Sequence, residues 1–419
     1  MSNKAHKRGL LPKLRFPEFR EAGEWKEKRL EDFAVIVRGG SPRPIDEYIT
    51  NAPSGLNWLK IGDIDKESKY VTSTQDKVIP AALNKTRVVS PGDLILSNSM
   101  SFGRPYILEI KTCIHDGWIA VSEIDKSLDR DYLYYLMMTS ASQTYFSNNA
   151  AGSGVQNLNA DIIKLLPVSY PSKKEQQKIA DCLSSLDEVI TLEAQKLDTL
   201  KTHKKGLMQQ LFPAEGETLP KLRFPEFRDA GEWEVKSVGD FGDVVTGSTP
   251  STVRPEFYGG GIPFVSPADI SDLRFVNGTK TTLTALGFDE IRPIKANSVL
   301  FVCIGSTIGK VTQNERVCAT NQQLNSVIPN AEHSGGFVYY ILSLSAGRIA
   351  NLAGKQAVPI INKTQFSAVR LPVPELREQE RIADCLASLD DLIAAQTQQL
   401  TALKTHKKGL MQQLFPAED

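Results

Sequence analysis

Two segments of this chain are written twice. Residues 11–20 read LPKLRFPEFR, and so do residues 219–228, an offset of 219 − 11 = 208. Residues 201–213 read KTHKKGLMQQLFP, and residues 404–416 repeat them letter for letter, an offset of 404 − 201 = 203. Between these cassettes lie two stretches that match only loosely. Each half is therefore a variable body followed by a nearly invariant tail. The tails must do one job twice, while the bodies do one kind of job on two targets. Such a repeat implies approximate internal twofold symmetry, that of a dimer fused into one chain. The symmetry places the C-terminus near the start of the chain.

A chain of 419 residues is too long for a single core and fits two to four domains. Hydrophobic content of 41% and charged content of 23% describe an ordinary globular protein. The 49 basic and 49 acidic residues cancel, which argues against a generic polyanion binder. A basic face balanced by acid elsewhere remains compatible with nucleic acid. No apolar stretch of a signal peptide follows MSNKAHKRGL, and no run approaches the roughly 20 apolar residues of a membrane span. The cysteines (Cys113, Cys182, Cys303, Cys318 and Cys385) lack a framework spacing, so free thiols and a cytoplasmic location are expected. Cys182 and Cys385, repeat partners on the tails, read as small buried packing residues.

Stepping through the first tail by alternating fours and threes visits Ile179, Leu183, Leu186, Ile190, Glu193, Leu197, Leu200, Lys204, Leu207 and Leu211. The second tail gives Ile382, Leu386, Leu389, Ile393, Gln396, Leu400, Leu403, Lys407, Leu410 and Leu414. A 3.5-residue apolar repeat held this long is a coiled-coil signal. It is interrupted at the same two places in both copies. Pro171 and Pro374 mark the helix starts, with Glu175 and Glu378 suiting the first turn; Pro213 and Pro416 stop them. The natural partner of each tail is the other, running antiparallel across a twofold axis. Glu193 and Gln396 would then form one polar layer that fixes register. Lys204 with Lys205, and Lys407 with Lys408, read equally as phosphate-neutralising pairs or as solvated helix ends.

The bodies align in short blocks: WKEKRLEDFAVIVRGGSPRP (25–44) with WEVKSVGDFGDVVTGSTPST (233–252), NWLKIGDI (57–64) with IPFVSPADI (262–270), SPGDLILSNSMSFGRP (90–105) with KANSVLFVCIGSTIGK (295–310), and HDGWIAV (115–121) with NQQLNSV (321–327). Apolar β-rich runs break into turns, and helical stretches follow at 131–148 and 335–352. The chain contains no GxGxxG, no phosphate-binding Gly-Lys-Ser/Thr loop, no Asn/Asp-Pro-Pro-Tyr methyl-transfer element, no HExxH and no CxxC. What remains are loops of short hydrogen-bonding side chains. In the first body these are Ser41, Arg43, Ser97, Asn98, Ser99, Arg104, Gln156 and Asn157. In the second they are Ser248, Thr249, Arg254, Ser306, Thr307, Lys310, Asn321, Gln322 and Gln323. Arg pairs with guanine and Asn or Gln with adenine in the major groove, and Ser or Thr suits phosphate oxygens.

Two variable bodies, each followed by a helix entered through Pro-x-x-x-Glu-Gln-x-x-Ile (Pro171, Glu175, Gln176, Ile179; Pro374, Glu378, Gln379, Ile382), resemble the specificity subunit of Type I restriction–modification systems. The Gly-Ser-Thr-Pro turn at 247–250 with Glu256-Phe257-Tyr258, and more loosely Gly39-Gly40-Ser41-Pro42, is similar to the start of that family's target recognition domains. The likeness spans residues 11–416 and departs after Pro42, where Arg43-Pro44-Ile45 replaces the common run. It implies an α+β protein with two mixed α/β recognition domains in pseudo-twofold arrangement, separated by two long antiparallel coiled-coil helices. The expected segments are a lead (1–20), a first recognition domain (21–170), a central helix (171–213), a linker (214–230), a second recognition domain (231–373) and a C-terminal helix (374–416). The resemblance further implies a non-catalytic subunit that reads a split site on double-stranded DNA, one half per body. Its helices would set the gap and dock two methyltransferase subunits, which carry S-adenosylmethionine. Two restriction and translocation subunits, using ATP and Mg, would join for restriction. The chain itself is expected to need no cofactor, metal or membrane. A fused methyltransferase and a protein–protein scaffold without DNA contact are the alternatives.

Overall fold

The computed structural model describes residues 10–65, 68–98, 102–150, 157–276, 278–354 and 358–416. It divides into two compact units, residues 1–192 with 401–419, and residues 193–400. The tails are single helices, Lys173–Leu211 and Leu376–Leu414. Each unit thus holds one body, the first part of the tail that follows it, and the last part of the other tail.

In the first unit the body is built on two five-stranded sheets. One places strand Trp118–Ser122 between Val35–Arg38 and Leu94–Ser97, all antiparallel, with Ile119 opposite both Arg38 and Leu96. The other pairs Leu56–Leu59 in parallel with Thr112–Ile114. The second body repeats the plan. Strand Leu324–Pro329 lies between Gly242–Thr246 and Val299–Val302, while Tyr258–Val265 runs parallel to Ala319–Thr320. Its sheets have four and three strands. Two outer strands of the first body shrink here to single bridges, Phe275 with Gln313 and Ile294 with Cys318. Both bodies close by pairing a lead strand with a final one, Lys26–Arg29 with Pro167–Tyr170 and Glu234–Ser237 with Arg370–Val373.

The helical stretch expected at 131–148 is two helices, Arg130–Met138 and Ser140–Asn149. Thr139 turns extended between them (ψ 155°), and its hydroxyl oxygen accepts the Ser142 N–H, capping the second helix. Its counterpart in the second body is one helix, Gly335–Ala350.

The repeated cassettes share one structural explanation. Arg15 forms a bidentate ion pair with Glu175 (2.7 and 2.8 Å), and Arg223 does the same with Glu378 (2.7 and 2.6 Å). Both carboxylates are 1% exposed. The neighbouring Gln176 side chain accepts the Asp129 N–H and donates to the Ser127 and Pro171 carbonyls; Gln379 binds Ser334, Glu332 and Pro374 in the same way. Pro-x-x-x-Glu-Gln is therefore the bracket that fixes a helix start to its body.

The Leu-Phe-Pro endings seat in the body on the other side of the sequence. Leu414 and Phe415 join the first core, where Phe415 packs on Tyr132 and Trp25 at 5.3 and 6.4 Å. Leu211 and Phe212 join the second, against Phe337 and Trp233 at 5.4 and 6.1 Å. The Leu14 N–H donates to the Gln413 carbonyl (2.9 Å) and the Leu222 N–H to that of Gln210 (2.9 Å), so the C-terminal segment does lie against the start of the chain.

The two interruptions of the apolar repeat are satisfied within the helix pairs. Lys407 meets Asp187 at 2.5 Å, and Asp187 also accepts from Tyr135 (2.7 Å). In the second unit Lys204 meets Asp390 at 2.5 Å, with Tyr340 on the same carboxylate (2.6 Å). Each ammonium also lies over its tyrosine ring, at 5.3 and 5.2 Å. Burial, then the neighbouring aspartate, drives both phenols far above the usual tyrosine range, so they stay hydrogen-bond donors. Lys204 and Lys407 are thus internal ion-pair partners, and Lys205 and Lys408 are the exposed members. The Gln396 amide donates to the carboxylate and carbonyl of Glu193, and Gln399 adds a bond at 3.1 Å, forming the expected polar layer. Partners 193 with 396 and 204 with 390 run in opposite directions along the two helices.

None of the apolar repeat positions is exposed. Ile179, Leu183, Leu197, Leu211, Ile382, Leu386 and Leu414 are buried; Leu186, Ile190, Leu200, Leu207, Leu389, Ile393, Leu400, Leu403 and Leu410 are half-buried. All five cysteines are free thiols. Cys182 and Cys385 are half-buried, not buried as expected, because they flank the apolar stripe.

Candidate nucleic-acid interface

Antiparallel pairing brings particular loops together. In the first body, the end of Val35–Arg38, the start of Trp118–Ser122 and the turn after Leu94–Ser97 share one end of a sheet. The Gly39 N–H donates to the Trp118 carbonyl (2.8 Å) and the Gly40 N–H to that of Ile114 (3.1 Å). A side chain at Gly39 would start 2.2 Å from the His115 carbonyl oxygen, so this approach requires glycine. Gly247 meets the same condition, 2.2 Å from the Asn321 carbonyl oxygen, and its N–H donates to Leu324 (3.1 Å).

Asp116 holds the first site together. Its carboxylate accepts from Ser41 Oγ at 2.8 Å and lies 3.1 Å from His115 and 3.5 Å from Arg43. Its carbonyl accepts from Arg38 Nε (2.9 Å) and Asn98 Nδ2 (3.1 Å). Burial alone would raise the Asp116 pKa. The Ser41 bond and the charges of His115, Arg38 and Arg43 outweigh it and lower the pKa, so the group is a carboxylate at neutral pH. Arg43 is 82% exposed on the rim. Half-buried Arg104 lies over the Tyr106 ring at 5.7 Å, its Nε buried without a partner among the described residues.

In the second site Thr249 Oγ1 donates to Gln322 Oε1 at 2.7 Å, and both residues are exposed. Asn321 Nδ2 donates to Gln323 Oε1 (3.0 Å), and Gln323 Nε2 reaches the Ile304 carbonyl (3.4 Å), tying in the turn that carries Ser306 and Thr307. The half-buried Ser248 is held by its N–H on the Thr320 carbonyl (2.9 Å). Arg292 Nη1 donates to the Thr246 carbonyl (3.3 Å).

The expected residues therefore fall into groups. Ser41, Arg43, Asn98, Thr249, Asn321, Gln322 and Gln323 take part in the loop contacts, and Arg104, Ser248, Ser306 and Thr307 lie on the same loops. Ser97 is fully buried at a strand end, so its side chain belongs to the interior. Asn98 is 5% exposed and serves to brace Asp116. Arg254 stacks on Phe257 (4.2 Å) and pairs with Glu256 (2.8 Å), and Lys310 binds the Ile270 carbonyl (3.0 Å), so neither joins the cluster. Asn157 is exposed. Ser99 and Gln156 lie outside the described residues. Sequence reasoning missed Asp116, Arg38, His115 and Arg292. The signal for Asp116 is its alignment with Gln322.

Arg38 and Arg43 beside Asp116 in the first body and the amide-rich loop of the second present different donor sets on one frame. Among the described residues no helix is long and apolar enough to cross a membrane.

Comparison with known proteins agrees with this duplication. A family profile described as the Type I restriction modification DNA specificity domain matches twice, over residues 22–202 and 230–405. The HindI specificity subunit of Haemophilus influenzae is 23% identical, with 84% of this chain and 90% of that protein covered. The EcoR124I/EcoR124II specificity subunit of Escherichia coli is 27% identical, covering 64% and 65%. The fold is similar to that of the S subunit from M. genitalium, with a TM-score of 0.62 at 15% identity over 98% of this chain and all of that one. A chain from a structure of type I R-M system assembly gives 0.56 at 18% identity, covering 94% and 98%. A profile matched once per body, each match running into the following tail, is the duplication first seen in the bare sequence, and the chain belongs to the family of Type I restriction–modification DNA specificity subunits.

Proposed function

We propose that this chain is the DNA-reading and scaffold component of a Type I restriction–modification complex, each body reading one half of a split double-stranded site. The observation that carries the reading is the pair of loop clusters, built on matching strand ends by matching backbone bonds yet furnished with different side chains. A shared frame with different contents is what two readers of different sequences need. The helix pair, with its Lys–Asp–Tyr triads and its Glu193–Gln396 layer, fixes register and so supports a role as a ruler for the unread gap. Exposed positions on the helices are left for two methyltransferase subunits. Methyl transfer from S-adenosylmethionine, and restriction by two ATP- and Mg-dependent motor subunits, rest with those partners.

The test is reconstitution. With a methyltransferase partner the full chain binds one duplex sequence over scrambled competitors, and four residues added to both helices (between Thr191 and Leu200, and between Ala394 and Leu403) lengthen the unmethylated spacer. Four residues add about 6 Å of helix against roughly 3.4 Å per base pair. Altered half-sites with a fixed spacer would refute the ruler, equal binding to all duplexes would refute sequence reading, and no binding to any duplex would leave a scaffold without DNA contact.

A further inference from the structure

The two loop clusters superimpose in sequence as well as in bonding. Ser41 and Thr249 are repeat partners in the first aligned block (249 − 41 = 208), and Asp116 and Gln322 are partners in the fourth, second in HDGWIAV and in NQQLNSV. In both bodies the hydroxyl bridges to the second residue, at 2.8 Å in the first and 2.7 Å in the second. The glycines that no side chain could replace stand two residues before each hydroxyl. The backbone is thus a common mount, and the chemistry differs only in what it carries. Asp116 is an acceptor with both oxygens engaged, one by Ser41 and His115, the other facing Arg43. Arg43, 82% exposed, is the donor that such a carboxylate can aim, and its counterpart in the second body is Ser251. Gln322 needs no intermediary, because an exposed amide carries a donor and an acceptor on one plane.

We propose that positions 41 and 116, with Arg43, and positions 249 and 322 are the base-choosing pairs of the two bodies. Arg43, aimed by Asp116, reads a guanine, and Gln322, aimed by Thr249, reads an adenine. This rests on the DNA-reading function proposed above and adds which side chain selects which base. A guanidinium fork matches guanine O6 and N7, and a carboxamide matches adenine N6 and N7; the carbonyl oxygen of Gln322 has a second lone pair left after accepting from Thr249. Asp116 and Thr249 are positioning residues.

The experiment uses the full chain in complex with its methyltransferase partner. Methylated adenines are mapped to define the wild-type site. Fluorescence anisotropy then measures Kd for that duplex and for duplexes with each recognised base pair exchanged in turn. Arg43→Ala and Arg43→Lys should each lower discrimination roughly 5- to 150-fold at one G·C pair of one half-site, with the other half-site untouched. Lysine keeps the charge and loses the fork. Asp116→Asn should relax the same pair while the preference at the other half-site stays at the wild-type value. Gln322→Ala, with Gln322→Glu as the second variant, should relax one A·T pair of the other half-site. A wild-type complex that binds all duplexes alike defeats the function itself. A wild-type complex that discriminates, with variants that discriminate equally, overturns only this assignment. So does an Arg43 variant that weakens every duplex by the same factor, the behaviour of a phosphate contact, and so does loss of preference in Asp116→Asn with Arg43→Ala unchanged.

Discussion

Phe415 offers a sharp perturbation, because its place in the fold differs from its place in the sequence. It follows the second body along the chain but is 4% exposed in the core of the first, against Tyr132 and Trp25. Phe→Ala at a packed site costs about 3–5 kcal/mol, the sum of lost transfer energy and the cavity left behind. Edge and tilted ring pairs add to the wild-type side of that balance. For units of roughly two hundred residues, each kcal/mol moves the midpoint by about 2–4 °C. Phe415→Ala should therefore lower the transition of the first unit by about 6–20 °C. Calorimetry measures the shift, and hydrogen exchange assigns it: protection should fall around Trp25 and Tyr132 and hold around Trp233 and Phe337. Phe212→Ala should give the mirror result, since Phe212 is 2% exposed against Trp233 and Phe337. Loss of protection in the second body on Phe415→Ala would refute the crossed seating of the two endings.

Three further outcomes follow from the packing. Arg15→Ala strands the Glu175 carboxylate, 1% exposed, and should cost about 3–5 kcal/mol in denaturant unfolding; a cost below about 1 kcal/mol would mean the bracket is not a buried pair. Leu197→Ala should cost about 2–5 kcal/mol and Leu400→Ala less, because Leu197 is buried and Leu400 half-buried; the reverse order would contradict the helix packing. His333, stacked on Phe241 and bonded to Asn330, has its pKa lowered by burial and then by Lys236, against the opposing pull of Glu332 and Asp240. The unfolded state then binds the proton more readily, so this stabilisation is complete above the ordinary histidine value of about 6.5 and is lost as pH falls below it. Guanidinium midpoints at pH 7.5 and 5.5 should show a fall in the wild type that is smaller in His333→Gln; equal falls would remove His333 as the cause.

The tails were the most legible part of the sequence. None of the apolar positions on their period is exposed, although Ala180 and Ala383 are buried outside it, and the shared interruptions pointed to a polar layer that Glu193 and Gln396 do form. The role of Lys204 and Lys407 was not legible, because the aspartates and tyrosines that pair with them lie far off in sequence and depend on a helix pairing that periodicity does not specify. The cassettes were visible as repeats but not as parts. Nothing local in Arg15 or Phe415 says that one clamps a helix start and the other fills a distant core. In the bodies, alignment of the two halves picked out loops that strand pairing brings together, but not the group that organises the first of them. Ser97 looks like a loop hydroxyl and is buried by strand pairing, while Asp116 looks unsuited to DNA and is the group on which the first loop is organised.

Division of labour between the bodies is tested most directly by exchange. Residues 233–370 are replaced by the corresponding segment of another specificity subunit, the chain is expressed with its methyltransferase partner, and methylated adenines are mapped across a genome. The expected result is a split motif in which one half-site changes while the other half-site and the spacer length stay as in the wild type. A single uninterrupted motif, or a change in both half-sites, would contradict it.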